Sequence, residues 1–168
     1  MPSEKDLDEA LHNGLKENRA FRQWFVQQLQ HGHGHDRLVF SRSDNPWGRL
    51  PVILPNDVTG ALEASTRDSE TDVLAVFEDA AGDRLGVHIE DKLGPGVFTK
   101  YQPEQYAFRA EAWIGSEAHG SYSHWETVLV APNSFIEANA QDAQKFTTRI
   151  THEDVGKFLP EFRQANNT

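Results

Sequence analysis

Val87-His-Ile-Glu-Asp-Lys92 alternates apolar and polar side chains with a period of two, the pattern of a strand with one face on a core. His88, Glu90 and Lys92 then share one side, while Val87 and Ile89 take the other. Upstream, Asp79-Ala-Ala-Gly-Asp83 is a polar, glycine-containing segment that suits a turn between two strands. The runs Leu62 to Thr66, Thr71 to Phe77 and Arg84 to Glu90 are therefore expected to form an antiparallel meander. Asp72 opens the strand before the turn, so two carboxylates and an ammonium converge on one point. Carboxylate oxygens with retained waters are what Mg²⁺ prefers, and a nearby lysine can orient an attacking water or offset charge on a phosphate.

Moving outward, Leu7, Leu11 and Leu15, then Phe21, Trp24, Phe25 and Leu29, recur at helical spacing. Two helical pieces are expected between Asp6 and Leu29, with a joint at residues 13–16 where Gly14 weakens the helix. Residues 36–60 hold Pro46, Pro51 and Pro55 and read as a looped excursion with one edge hairpin. Beyond the strands, Thr99 and Gln102 have capping-box spacing, and a helix is expected from there to about Ile114, with Pro103 tolerated in its first turn. Trp125 to Ala131 reads as a strand covered on both faces. A helix at Ser134 to Ala143, a strand at Lys145 to Ile150 and a helix from Thr151 complete the chain, and Gln164-Ala-Asn-Asn-Thr168 is expected to fray. This is an α/β (α+β) pattern in one domain over residues 1–168, with a core at about 17–131, a helix-strand-helix extension at about 132–165 and a central mixed sheet flanked by helices.

The 168 residues carry 16 Lys plus Arg against 26 Asp plus Glu, a net charge of −10. That balance argues against a basic nucleic-acid coat or a polybasic membrane anchor. The excess is uneven, since residues 61–92 alone hold 9 acidic and 3 basic groups. Without cysteine there is no disulfide scaffold, thiol nucleophile or thiolate metal site. The charged start, Met1 to Glu9, has neither signal-peptide nor membrane-span character, so a cytoplasmic location without membrane contact is expected.

The same residues resemble the PD-(D/E)XK nuclease superfamily. The matching elements are Asp72 in Glu70-Thr-Asp-Val73, Glu90-Asp-Lys92 as the E-x-K element, and Gln102-Pro-Glu-Gln-Tyr106 as the Q-x-x-x-Y helix of RecB-like members. Thr71 stands where the classical proline would precede the aspartate. The resemblance spans residues 17–131, where the order helix, three strands, helix, strand matches the restriction-endonuclease-like αβββαβ core. It implies a Mg²⁺ (or Mn²⁺) ion held by Asp72, Glu90 and the backbone carbonyl of Asp91, with Lys92 orienting the nucleophilic water. It further implies that Gln102, Tyr106 and Arg109 position water or phosphate, and that Glu17, on the first helix, holds a metal-bound water. Lys100 joins Arg109 as a cation for the nucleic acid, DNA before RNA. By analogy with relatives, a homodimer is expected.

Plainer readings stand beside these. Glu90 and Lys92 suit a cross-strand ion pair on a solvated face, Tyr106 a core aromatic and Arg109 a surface cation. Glu17 suits a helix first turn through the dipole alone. His31-Gly-His-Gly-His35 invites a zinc or storage reading but lacks partners of zinc-site type, so a hinge loop is the better expectation. His119 and His124 near Ser121 and Ser123 lack a G-x-S-x-G elbow, which discounts a hydrolase triad. The principal rival to an enzyme is a non-catalytic module of the same fold in a larger assembly, motivated by the acidic charge.

Overall fold

A computed structural model describes residues 1–165. Its centre is a mixed five-stranded sheet in the order β1-β4-β5-β6-β7. β1 (Arg37–Arg42), β4 (Val73–Glu78) and β5 (Arg84–Asp91) run antiparallel, whereas β6 (His124–Ala131) and β7 (Thr148–Thr151) follow β5 in parallel. The antiparallel meander is therefore β1-β4-β5. The expected first strand of that meander, Leu62 to Thr66, lies instead in β3 (Leu62–Glu70), which pairs with β2 (Trp47–Pro55) in a separate two-stranded sheet. The excursion at residues 36–60 is thus mostly strand.

The apolar stripe of the N-terminal region forms helices α1 (Glu4–Glu17) and α2 (Arg19–Gln28). Their joint falls at Asn18, not at residues 13–16, because the Asn18 side chain accepts from Phe21 N and caps α2. Gly14 stays inside α1, and a Cβ there would meet the Leu159 methyls at 2.9 Å. Leu7, Leu11, Phe21 and Phe25 pack on Val73, Ala75, Phe77, Val87 and Ile89 from one sheet face. The opposite face, Leu74 and Val76, packs against Trp113 and Tyr122 beside α3 (Gln102–Ala112).

α3 starts near the expected point but with Tyr101 at its N-cap in the left-handed region, φ 62°. Only half of the capping box forms, the Gln102 side chain accepting from Thr99 N at 3.2 Å. The expected helix at Ser134 to Ala143 is split at Asn139 into α4 (Asn133–Ala138) and α5 (Ala140–Ala143). Thr151 caps α6 (His152–Val155) as expected, and α7 (Pro160–Ala165) is helical where fraying was expected. The rest of that expectation, residues 166–168, lies outside the described residues. Among the described residues no helix is long and apolar enough to cross a membrane.

Gly86 is required by packing. A Cβ there would lie 2.5 Å from the Tyr122 ring, which is itself fully buried over β5. Gly86→Ala is expected to cost about 1–3 kcal/mol through overpacking, read as a lower midpoint in chemical denaturation. An unchanged midpoint would contradict this packing.

Candidate active site

The β4–β5 ladder ends at Val73 opposite Ile89. One residue beyond, Asp72 continues the contact with its side chain: its Oδ2 accepts from Asp91 N at 2.9 Å. Its own N–H donates to the Tyr106 hydroxyl at 3.1 Å, and that hydroxyl donates to Ile89 O at 3.3 Å. Asp72 is thereby held at the end of the sheet from both its side chain and its backbone.

Glu90, 2% exposed, faces α3 from the neighbouring strand. Its Oε1 takes both Lys92 Nζ at 2.7 Å and Gln102 Nε2 at 2.6 Å. The structure thus brings Asp72, Glu90, Lys92, Gln102 and Tyr106 together at one end of β4 and β5. Burial, then Glu90, then Asp8 push the Asp72 carboxyl up to about 9. Burial alone would lower the Lys92 ammonium, but Glu90 beside it holds it above its ordinary value.

Asp8 was not anticipated. It is 5% exposed on the core-facing side of α1, its Oδ1 has no hydrogen-bond partner, and burial with Asp91 and Glu90 pushes its carboxyl up to about 8. The signal was available: Leu7, Leu11 and Leu15 define the buried stripe, and Asp8 falls on it, three residues before Leu11. Glu17, the expected acidic partner from the first helix, is exposed at the far end of α1, nine residues or about 13 Å along the axis from Asp8. It lines a depression with Asn13, Gly14 and Leu159. The structure does not bring Glu17 to the carboxylates.

Arg109 is also corrected. It is fully buried, stacks over the Tyr106 ring at 4.2 Å, and donates through Nε to Thr71 Oγ1 at 2.6 Å and through Nη1 to Ser69 Oγ. A polar chain continues from it. Thr71 Oγ1 meets His88 Nδ1 at 2.9 Å, His88 Nε2 meets the Tyr122 hydroxyl at 3.0 Å, and that hydroxyl donates to Ala110 O at 2.5 Å. Because Tyr122 gives its proton to a carbonyl, it accepts from His88 Nε2–H, which leaves Nδ1 to accept from Thr71. Burial, then Arg109, keeps His88 neutral. Arg109 therefore ties α3 to β3 and to the approach to β4 and is not an exposed phosphate ligand. Lys100 is exposed, but it pairs with Asp57 and lies 5.2 Å from the Tyr101 ring.

The Asp91 side chain points to the other sheet face, where Oδ1 lies 2.9 Å from His152 Nε2 with both side chains fully buried. Burial, with Glu90 next, raises the acid, and burial lowers the imidazole to about 4, so burial works against charge on both partners. The Asp91 carbonyl lies on the same strand edge as its N–H and so faces Asp72. Beside the cluster, a cavity of about 410 Å³ opens between the β2–β3 hairpin and α3, lined by Trp47, Ser69, Glu70, Gln102 and Tyr106 among others. A larger depression of about 730 Å³ along α2 and the His-Gly segment holds a single carboxylate, Asp36.

Among the described residues, no group of three His, Asp or Glu side chains is placed to hold a metal ion. That includes His31, His33 and His35. The segment is instead anchored by buried Glu126, which accepts from Gln30 N at 2.9 Å and His31 N at 2.6 Å. No protein-family model, curated protein or solved structure matches the chain.

The raised carboxyls predict a pH dependence. In metal-free protein, Asp8 and Asp72 keep protons at pH values where the unfolded chain has lost them, so the folded state binds more protons. Their contribution is full below about pH 4 and declines as pH rises toward 8 and 9. Denaturation in EDTA should show greater stability at pH 5 than at pH 8, and Asp8→Asn should flatten that slope. A slope unchanged by the substitution would show that Asp8 does not titrate as described.

Proposed function

We propose that the protein is a metal-dependent nuclease that hydrolyses phosphodiester bonds of nucleic acid, DNA in the first instance. The observation that carries this reading is the convergence of Asp72, Glu90, Lys92 and Gln102 at one sheet end. Further support comes from the order of elements: α1–α2, then β1, β4 and β5 as an antiparallel meander, then α3 and a parallel β6, with the β2–β3 hairpin inserted. This is the αβββαβ order of the superfamily that the motifs resemble.

The donor set fits Mg²⁺ or Mn²⁺ better than zinc. Two carboxylates, Asp72 and Glu90, and the Asp91 carbonyl are all oxygen donors, and Mg²⁺ keeps several waters while taking only one or two protein carboxylates. The like-charge crowding that raises Asp72 would be relieved by a divalent cation. A bound ion would supply positive charge and lower the pKa of a coordinated water. Around it, Lys92 would orient the attacking water and offset charge on the phosphate, and Gln102 would fix the Glu90 carboxylate. Tyr106 would hold the Asp72 backbone, and Asp8, whose charge is felt at Asp72, would supply the outer acidic group expected of Glu17.

A non-catalytic module of the same fold is the second reading. It draws support from the internal partners of the three cations expected at the site: Lys92 pairs with Glu90, Lys100 with Asp57, and Arg109 is enclosed.

The test is cleavage of plasmid and linear DNA with Mg²⁺ or Mn²⁺, alongside calorimetric metal titration. Asp72→Asn and Lys92→Ala should each lower cleavage by about 100-fold or more, the scale on which positioned proton-transfer and charge-stabilising groups act. Asp72→Asn should also weaken metal binding, and Glu17→Gln should change neither. Metal binding without cleavage would favour the module. Cleavage that survives EDTA or Lys92→Ala would overturn the nuclease assignment at this site.

A further inference from the structure

The β2–β3 hairpin stands apart from the main sheet, and its two edges differ. β2 carries Pro51 and Pro55 within a ladder of nine uninterrupted pairs. A proline fits such a ladder only where its nitrogen faces away from the partner strand, so the outer edge of β2 lacks donors at both positions and is closed to further pairing. β3 carries neither proline nor lysine, and Leu62 to Thr66 are all exposed. Leu62, Ala64, Thr66 and Asp68 stand opposite Pro55, Ile53, Pro51 and Arg49. In antiparallel alternation their N–H and C=O groups therefore face the free edge.

We propose that this edge is an interface with a second copy of the chain, β3 pairing antiparallel with itself about a two-fold axis at Ser65. Ala64 then lies opposite Thr66 of the partner subunit and Leu62 opposite Asp68 of the partner subunit, which gives about eight main-chain hydrogen bonds. Charge selects this register. Glu63 falls opposite Arg67 of the partner subunit, and the symmetry makes that ion pair twice. Shifting the axis to Thr66 puts Glu63 opposite a serine, and shifting it to Ala64 does the same, so both neighbouring registers lose both pairs. Within the chain, among the described residues, Glu63 and Arg67 have no ion-pair partner: Glu63 accepts from Asn56 Nδ2 at 2.9 Å, and Arg67 lies 5.5 Å from the Tyr101 ring. Ala64, Ser65 and Thr66, at the centre, are small enough for close backbone approach. Of the β3 residues that line the cavity beside the carboxylates, Asp68 is the last paired residue, and Ser69 and Glu70 lie beyond the pairing.

The inference does not rest on the nuclease reading, and its test is separate from activity. Because the chain has no cysteine, Ser65→Cys introduces a unique thiol on the axis. There the two Cα atoms of a non-hydrogen-bonded pair lie about 4.5 Å apart, within disulfide range. Mild oxidation should give a disulfide-linked dimer with Ser65→Cys and not with Glu63→Cys, whose two thiols would be about 14 Å apart along the strands. In sedimentation equilibrium the native chain should approach twice 19.0 kDa. Glu63→Arg should weaken the dimer about tenfold or more, and adding Arg67→Glu should restore it. Ala64→Pro removes only an outward N–H and should give a folded monomer. A native chain that sediments as a monomer, equal cross-linking at positions 63 and 65, or a charge swap that fails to restore association would overturn the proposal.

Discussion

The hydrogen bond from Asp91 N–H to Asp72 Oδ2 governs how the chemistry-bearing end of the molecule is built. It takes the place of the next rung of the β4–β5 ladder, so a carboxylate stands where a backbone carbonyl would otherwise lie. That substitution holds only if Asp72 is fixed from the other side. Tyr106 does this by accepting the Asp72 N–H while donating to Ile89 O, which makes the position of α3 part of the sheet's geometry. Arg109, one turn further along the helix, fastens the same helix to Thr71 and Ser69, the residues leading into Asp72. Gln102, Tyr106 and Arg109 thus form one face of α3 whose common task is to hold Asp72 and Glu90 in place.

This arrangement works against the stability of the metal-free fold. Asp8, Asp72 and Glu90 are crowded with little solvent, and the raised Asp8 and Asp72 carboxyls express the resulting repulsion and desolvation. Lys92 and Gln102 bond directly to Glu90, and Lys92 offsets only part of the rise at Asp8. Buried atoms without partners, Asp8 Oδ1 and Asp91 Oδ2, lie in the same region. Proteins place unfavourable electrostatics where function needs it, and the net charge of −10 has its densest share in the segment that supplies two of these carboxylates. A divalent ion would offset both costs locally.

The strands that bear the carboxylates were legible because a period of two survives even where both faces are buried, and Asp72 and Glu90 fell one hairpin apart. The Gln102 and Tyr106 spacing was legible for the same reason on a helix. Other parts were hidden by competing signals. Prolines made residues 36–60 read as loop, yet Pro51 and Pro55 occupy edge positions where a strand tolerates them. Leu62 to Thr66 had strand character, but no local pattern tells whether a strand joins its sequence neighbour in the main sheet or turns back on β2. Glu17 matches only the pattern of the superfamily that the motifs resemble, whereas the leucine stripe of α1 favours Asp8. Arg109 looked like a surface cation because its partners, Thr71 and Ser69, are nearly forty residues away.

The central claim is that Asp72 and Glu90 form a divalent-cation centre, and the most direct measurement is anomalous diffraction from a crystal soaked in Mn²⁺. The account predicts an anomalous peak at the Asp72 and Glu90 carboxylates, lost in Asp72→Asn. A soaked crystal with the fold intact and no peak there, or with its main peak elsewhere, would contradict it.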